Sequence, residues 1–107
     1  MLGKTIMLVC SAGMSTSLLV TKMQKAAEEK NEDVEIFAVS ASEADINIQN
    51  KELDVVMLGP QVKFMAKQFS EKLAPKGIPM EVINMSDYGL MNGASVLDRA
   101  FELMDGK

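Results

Sequence analysis

The stretch Lys4-Thr5-Ile6-Met7-Leu8-Val9-Cys10-Ser11-Ala12-Gly13, with the amphipathic run that follows it, decides the fold. Residues 4–10 are short, continuous and apolar, and they close on three small residues, which reads as a buried strand. From 16 to 31 the period becomes helical. Leu19, Met23, Ala26 and Ala27 share one face, and Lys22, Lys25, Glu28 and Glu29 fall largely on the other. The chain therefore begins as a strand that passes through a tight loop into a helix.

The same unit recurs downstream. Residues 34–40 (VEIFAVS) read as a second strand, and Ser42 is expected to cap a weakly apolar helix to residue 50. Residues 54–58 (DVVML) form a third strand, ended by Gly59-Pro60. The helix expected over 61–73 turns Val62, Met65, Phe69 and Leu73 inward. Pro75, Gly77 and Pro79 break it before a fourth strand at 80–83. A loop at 86–89 then leads to a helix over 93–104 that buries Val96, Leu97, Ala100, Phe101 and Met104.

Strands joined by single helices must run parallel, and right-handed crossovers put helices on both faces. The fold class is α/β: a four-stranded parallel open sheet, doubly wound, with the expected strand order 2-1-3-4, forming one domain over 1–107. In such sheets ligands bind beyond the carboxyl ends of the strands, where the strand order reverses. With strand one central, that point lies beside Cys10.

Composition narrows the function. The net charge is −4, and Arg99 is the only arginine, so no basic face exists for nucleic acid. One cysteine excludes an internal disulfide. With no histidine and no carboxylate cluster in view, neither a metal nor a cofactor is expected. The apolar run at 6–10 is too short to span a bilayer, which takes about 20 residues, and it lacks a cleavage pattern. The expectation is a cytoplasmic monomer that is not inserted in the membrane.

The loop Cys10-Ser11-Ala12-Gly13-Met14-Ser15-Thr16-Ser17 carries most of the chemistry. Its residues are small and hydroxylated, and Gly13 tolerates positive φ. A tight loop of this kind turns successive N–H groups inward as an anion nest. The helix behind it adds free donors and partial positive charge. A tetrahedral dianion is thus held by the main chain of 11–17 without basic side chains. The same field favours the thiolate of Cys10, which is the nucleophilic form. Ser17 is placed to donate to the sulfur or to a departing phosphate. A lone cysteine is more often a small core residue, but the strand-end position and the nest behind it favour the nucleophile.

At these residues the chain resembles a known family. CSAGMSTSLLV after the strand IMLV is similar to the phosphocysteine loop of IIB components of the bacterial sugar phosphotransferase system, in the lactose/cellobiose/chitobiose branch. DVVMLGPQV and PMEVINMSDYGLMNGASVL resemble the third strand and the fourth-strand-to-last-helix region of that branch. The resemblance implies a four-stranded parallel sheet with helices on both sides. It also implies that Cys10 takes a phosphoryl group from a phosphohistidine on a IIA protein. Cys10 would then donate it to a sugar bound by the membrane-embedded IIC protein, making the chain a phosphocysteine–sugar phosphotransferase. The missing histidine fits, because the histidine belongs to the partner.

The loop and fold also resemble low-molecular-weight tyrosine phosphatases, whose loop runs Cys, five residues, Arg, then Ser or Thr. Counting from Cys10, the arginine position holds Thr16 and the hydroxyl position holds Ser17. Without a guanidinium to clamp the phosphate oxygens, hydrolysis should be slow. Phosphatase, arsenate reductase and non-catalytic phosphate-binding module are the alternatives. Met14, Gln61, Asp87 and Tyr88 fall on the active edge and are candidate partner contacts, with Leu18 extending an apolar patch around Met14.

Overall fold

The computed structural model describes residues 3–11 and 14–105. Four strands, β1 (Lys4–Cys10), β2 (Val34–Ser40), β3 (Val55–Leu58) and β4 (Met80–Val82), form one parallel sheet in the order β2-β1-β3-β4. The helices are α1 (Met14–Glu29), α2 (Ala41–Asn50), α3 (Ala66–Leu73), α4 (Met85–Gly89) and α5 (Gly93–Asp105). Among the described residues, no helix is long and apolar enough to cross a membrane.

Period-two alternation along the central strand builds two cores. Ile6 and Leu8 of β1 join Leu19, Met23, Leu97 and Met104 of α1 and α5 on one face. Met7 and Val9 join Ala44, Ile48, Phe69 and Leu73 of α2 and α3 on the other. Both faces are covered, so β1 and β3 can be apolar throughout. α5 crosses α1 so closely that a Cβ on Gly93 would stand 2.5 Å from the Lys22 carbonyl carbon. Glycine is what permits that approach.

Several boundaries differ from the sequence expectation, each for a local reason. α1 starts at Met14, inside the expected loop, and stops at Glu29. Asn31 there takes φ 56°, while Glu32 N–H bonds to Ala27 O and Asn31 N–H to Glu28 O. Those two bonds make a Schellman stop with Asn in the left-handed position. The cap of α2 is Ser40, not Ser42: its N–H and hydroxyl reach Glu43 Oε1 at 3.5 and 3.3 Å. The Ser-x-x-Glu spacing of a capping box was present at 40–43.

The expected third helix is two pieces. Pro60–Met65 winds as 3-10 helix, Val62 N–H closing on Gly59 O, and α3 proper begins only at Ala66. Val62 leaves helical geometry (φ −116°, ψ 22°). The loop expected at 86–89 is instead α4, capped by Asn84, whose side chain accepts from Ser86 N–H and Asp87 N–H at 2.8 and 3.2 Å. Met65 and Phe101, expected in the core, are half-buried at its margin.

Candidate functional site

Cys10 is the last residue of β1, paired in register with Ser40 at the end of β2. It has the parity of Ile6 and Leu8 and therefore falls on the α1 side of the sheet. Only 5% of it is exposed, and the thiol donates to the Val39 carbonyl over 3.6 Å. α1 and α2 lie on opposite faces, so the strand order reverses between β1 and β3, beside this thiol. Ser11 follows as an exposed bend, and α1 opens four residues after the cysteine. The first amides of a helix have no carbonyl one turn back, and they carry partial positive charge. Anion-binding groups and a thiol therefore share one corner of the fold.

Of the expected cradle, Ala12 and Gly13 lie outside the described residues, as do the side chains of Met14 and Ser15. Met14 and Ser15 occupy the first turn of α1. Thr16 is fully buried, and its hydroxyl lies 2.8 Å from the Tyr88 hydroxyl. That leaves its main-chain amide, not its side chain, as what it can offer an anion. Ser17 is exposed, and its carbonyl accepts from Thr21 Oγ1.

The other expected edge residues also come together, though not in one role. Gln61 follows β3, is exposed, and donates through Nε2 to Tyr88 Oη at 2.7 Å. Gly59 makes room for it: an added Cβ would stand 2.6 Å from Gln61 Oε1. Gly59 N–H also bonds to Val9 O at 2.8 Å, tying this turn to β1 beside the cysteine. Tyr88 is buried, 9% exposed. Asp87 is half-buried, and its carboxylate accepts from the Ser95 hydroxyl at 3.0 Å. It lines a groove of about 410 Å³ shared with Glu81, Asn84, Ser95 and Arg99.

Arg99 is engaged elsewhere. Its Nε and Nη2 grip both oxygens of Glu81 at 2.7 and 2.6 Å, and Nη1 reaches Glu102 at 2.9 Å. Hydrogen bonding to Arg99 holds the Glu81 carboxyl below its ordinary value, against a smaller opposing effect of burial. The sole arginine therefore braces α5 to β4 and leaves the thiol corner without a guanidinium.

The Thr16–Tyr88–Gln61 junction was not anticipated from sequence. The three residues are far apart in the chain, and the only signal was that topology brings all three segments to one sheet edge.

Comparison with known proteins fits this geometry. Residues 5–99 match the family model "PTS system, Lactose/Cellobiose specific IIB subunit". The galactose-specific EIIB component of Lactococcus lactis subsp. cremoris is 50% identical, covering 98% of this chain and 100% of that protein. The oligo-beta-mannoside-specific EIIB component of Bacillus subtilis is 40% identical over 94% of this chain and 96% of its own. The solution structure of a cellobiose-specific IIB component from Borrelia burgdorferi superposes with TM-score 0.79 at 43% identity, covering 97% and 94% of the two chains. A lactose-specific IIB domain from Streptococcus pneumoniae gives TM-score 0.81 at 15% identity, covering 95% of this chain and 98% of its own, a likeness of fold alone. By family match, by relatives along its whole length and by sheet order, this chain belongs to the lactose/cellobiose-specific IIB family of the phosphotransferase system.

Proposed function

We propose that Cys10 is a phosphoryl carrier between two partners in the cytoplasm. In the first step the Cys10 thiolate attacks the phosphorus of a phosphohistidine on a IIA protein. The P–N bond breaks as the S–P bond forms, and the imidazole keeps the electron pair and takes a proton. In the second, a hydroxyl oxygen of a sugar held by the membrane IIC protein attacks the same phosphorus. The S–P bond breaks, the hydroxyl proton leaves to solvent, and the thiolate is restored.

The observation that carries this reading is the position of Cys10. It closes the central strand at the switch point, with α1 opening four residues later. Main-chain amides of 11–17 would receive the phosphoryl oxygens. The commitment of Arg99 to Glu81 and Glu102 supports a carrier over a hydrolase, since the clamp that speeds phosphatase chemistry is engaged elsewhere.

The exposed apolar side chains that would meet the partners are Leu18, Ile46, Phe64, Met85 and Leu90, each 50–79% exposed. Exposed apolar side chains suit a face that two partners use in turn.

Reconstitution tests the proposal: a phosphorylated IIA protein, this chain, and membranes carrying a IIC protein with labelled sugar. Sugar phosphate should form with the wild type and not with Cys10→Ser. Sugar phosphate formed equally by Cys10→Ser would overturn the assignment.

A further inference from the structure

Tyr88 is the only tyrosine in the chain, and its hydroxyl joins three segments that end at the thiol corner. It lies 2.8 Å from Thr16 Oγ1 in the first turn of α1 and 2.7 Å from Gln61 Nε2 in the turn after β3. Tyr88 itself is carried by α4, which Asn84 caps at the end of β4. We propose that Tyr88 is a positioning residue for phosphoryl transfer. Its hydroxyl fixes the first turn of α1, and so the amides that meet the phosphoryl group, relative to Cys10. The inference rests on the carrier reading above.

The physical case begins with Thr16. In a first helical turn, a threonine hydroxyl ordinarily bonds to nearby main chain or to solvent. Here it is wholly buried and meets a tyrosine 72 positions away. Thr16 stands six positions after Cys10, inside the expected cradle of 11–17. A helix end held only by its own hydrogen bonds frays, whereas a cradle must hold its donors within about half an ångström to stabilise transferred charge. The Tyr88 hydroxyl ties that end to the β3 turn, which Gly59 in turn bonds to Val9, the neighbour of the nucleophile. Among the described contacts, the bracing is therefore closed around Cys10 and involves no charged side chain. It can hold geometry without competing for the phosphate.

Tyr88→Phe keeps the buried ring and removes only the hydroxyl. Single-turnover transfer from phosphorylated IIA to Cys10 should slow about tenfold at saturating donor, with the half-saturating donor concentration unchanged. The phosphorus NMR shift of the phosphocysteine should move as well, because its donors have moved. Thr16→Val should match Tyr88→Phe, the double variant should be no slower than either alone, and Thr16→Ser should restore the wild-type rate. Gln61→Met supplies a second cut of the same hydroxyl should Thr16→Val fold poorly, and it too should slow transfer. Wild-type rate and phosphorus shift in Tyr88→Phe would overturn the inference. So would a defect confined to half-saturation, which would make Tyr88 a partner contact, or losses that simply multiply in the double variant. A wild-type chain that never gains a phosphoryl group would overturn the carrier reading and this inference together. Phosphorylated wild type with an unaffected Tyr88→Phe would overturn only the latter.

Discussion

The two ends of the same four strands are built to different specifications. At the amino end, Asp54 locks onto β1: its carboxylate accepts from Thr5 N–H at 2.8 Å, and its own N–H donates to Thr5 O at 2.9 Å. Lys4 N–H bonds to Asp33 O, and Lys51 pairs with Glu35 nearby. At the carboxyl end the described contacts around Cys10 are neutral: a thiol on a carbonyl, then hydroxyl on hydroxyl and amide on hydroxyl. The amino end holds the larger hollow, about 470 Å³ against about 410 Å³ beside α4 and α5. Size does not select the site. What does is the coincidence of a nucleophile, a helix start and a topological switch, which only the carboxyl end has.

If that division is right, damage at one end should cost chemistry and damage at the other should cost stability. The largest effect belongs to Cys10→Ser. Phosphoryl transfer should fall about a thousandfold or more, because a serine hydroxyl is un-ionised at neutral pH, while the thermal midpoint barely moves. Asp54→Ala should show the reverse. Leaving Thr5 N–H without its acceptor should lower unfolding free energy by about 1–3 kcal/mol in urea titration, with transfer rates intact. A transfer defect there as large as the stability loss would break the contrast.

Two smaller perturbations sharpen it. Phe64→Asp changes a residue 79% exposed. It should raise the half-saturating concentration of phosphorylated IIA about fivefold or more, leaving saturated transfer and stability unchanged. An unaltered half-saturation would remove Phe64 from the docking surface. The smallest effect lies at Glu81. Its carboxyl is held below the ordinary 4.5, so the Arg99 contact contributes stability above the unfolded value and loses it as pH falls through the folded one. Glu81→Gln should therefore melt slightly below wild type at neutral pH, and the difference should vanish in strong acid. Both groups are substantially exposed, so salt should shrink it too.

The parallel strands and the apolar helix faces were legible because the signals were local and repeated: apolar runs of strand length alternating with helical periodicity. The order β2-β1-β3-β4 is a non-local property that this alternation admits but does not dictate. Cys10 was legible because a strand end, small residues and a helix start adjoin it in the chain. Helix boundaries were less legible. Ser42 is an N-cap by residue type, but the cap falls on Ser40, because Glu43 stands three places after it. Residues 60–65 carry the apolar spacing of a helix, and nothing in that spacing distinguishes a 3-10 start held by Gly59 and Pro60. The Tyr88 junction was illegible for a different reason. Its partners lie 72 and 27 positions away, and no local pattern encodes a hydroxyl that meets another only after the sheet has formed.

The chemistry turns on one sulfur. The most direct measurement is intact mass of the chain after incubation with phosphorylated IIA protein, followed by peptide mapping of the added group. Wild type should gain one phosphoryl group, located on Cys10 and labile as a thiophosphate ester, with no gain on Cys10→Ser. A phosphoryl group found on Ser15 or Thr16, or retained by Cys10→Ser, would contradict the assignment to Cys10.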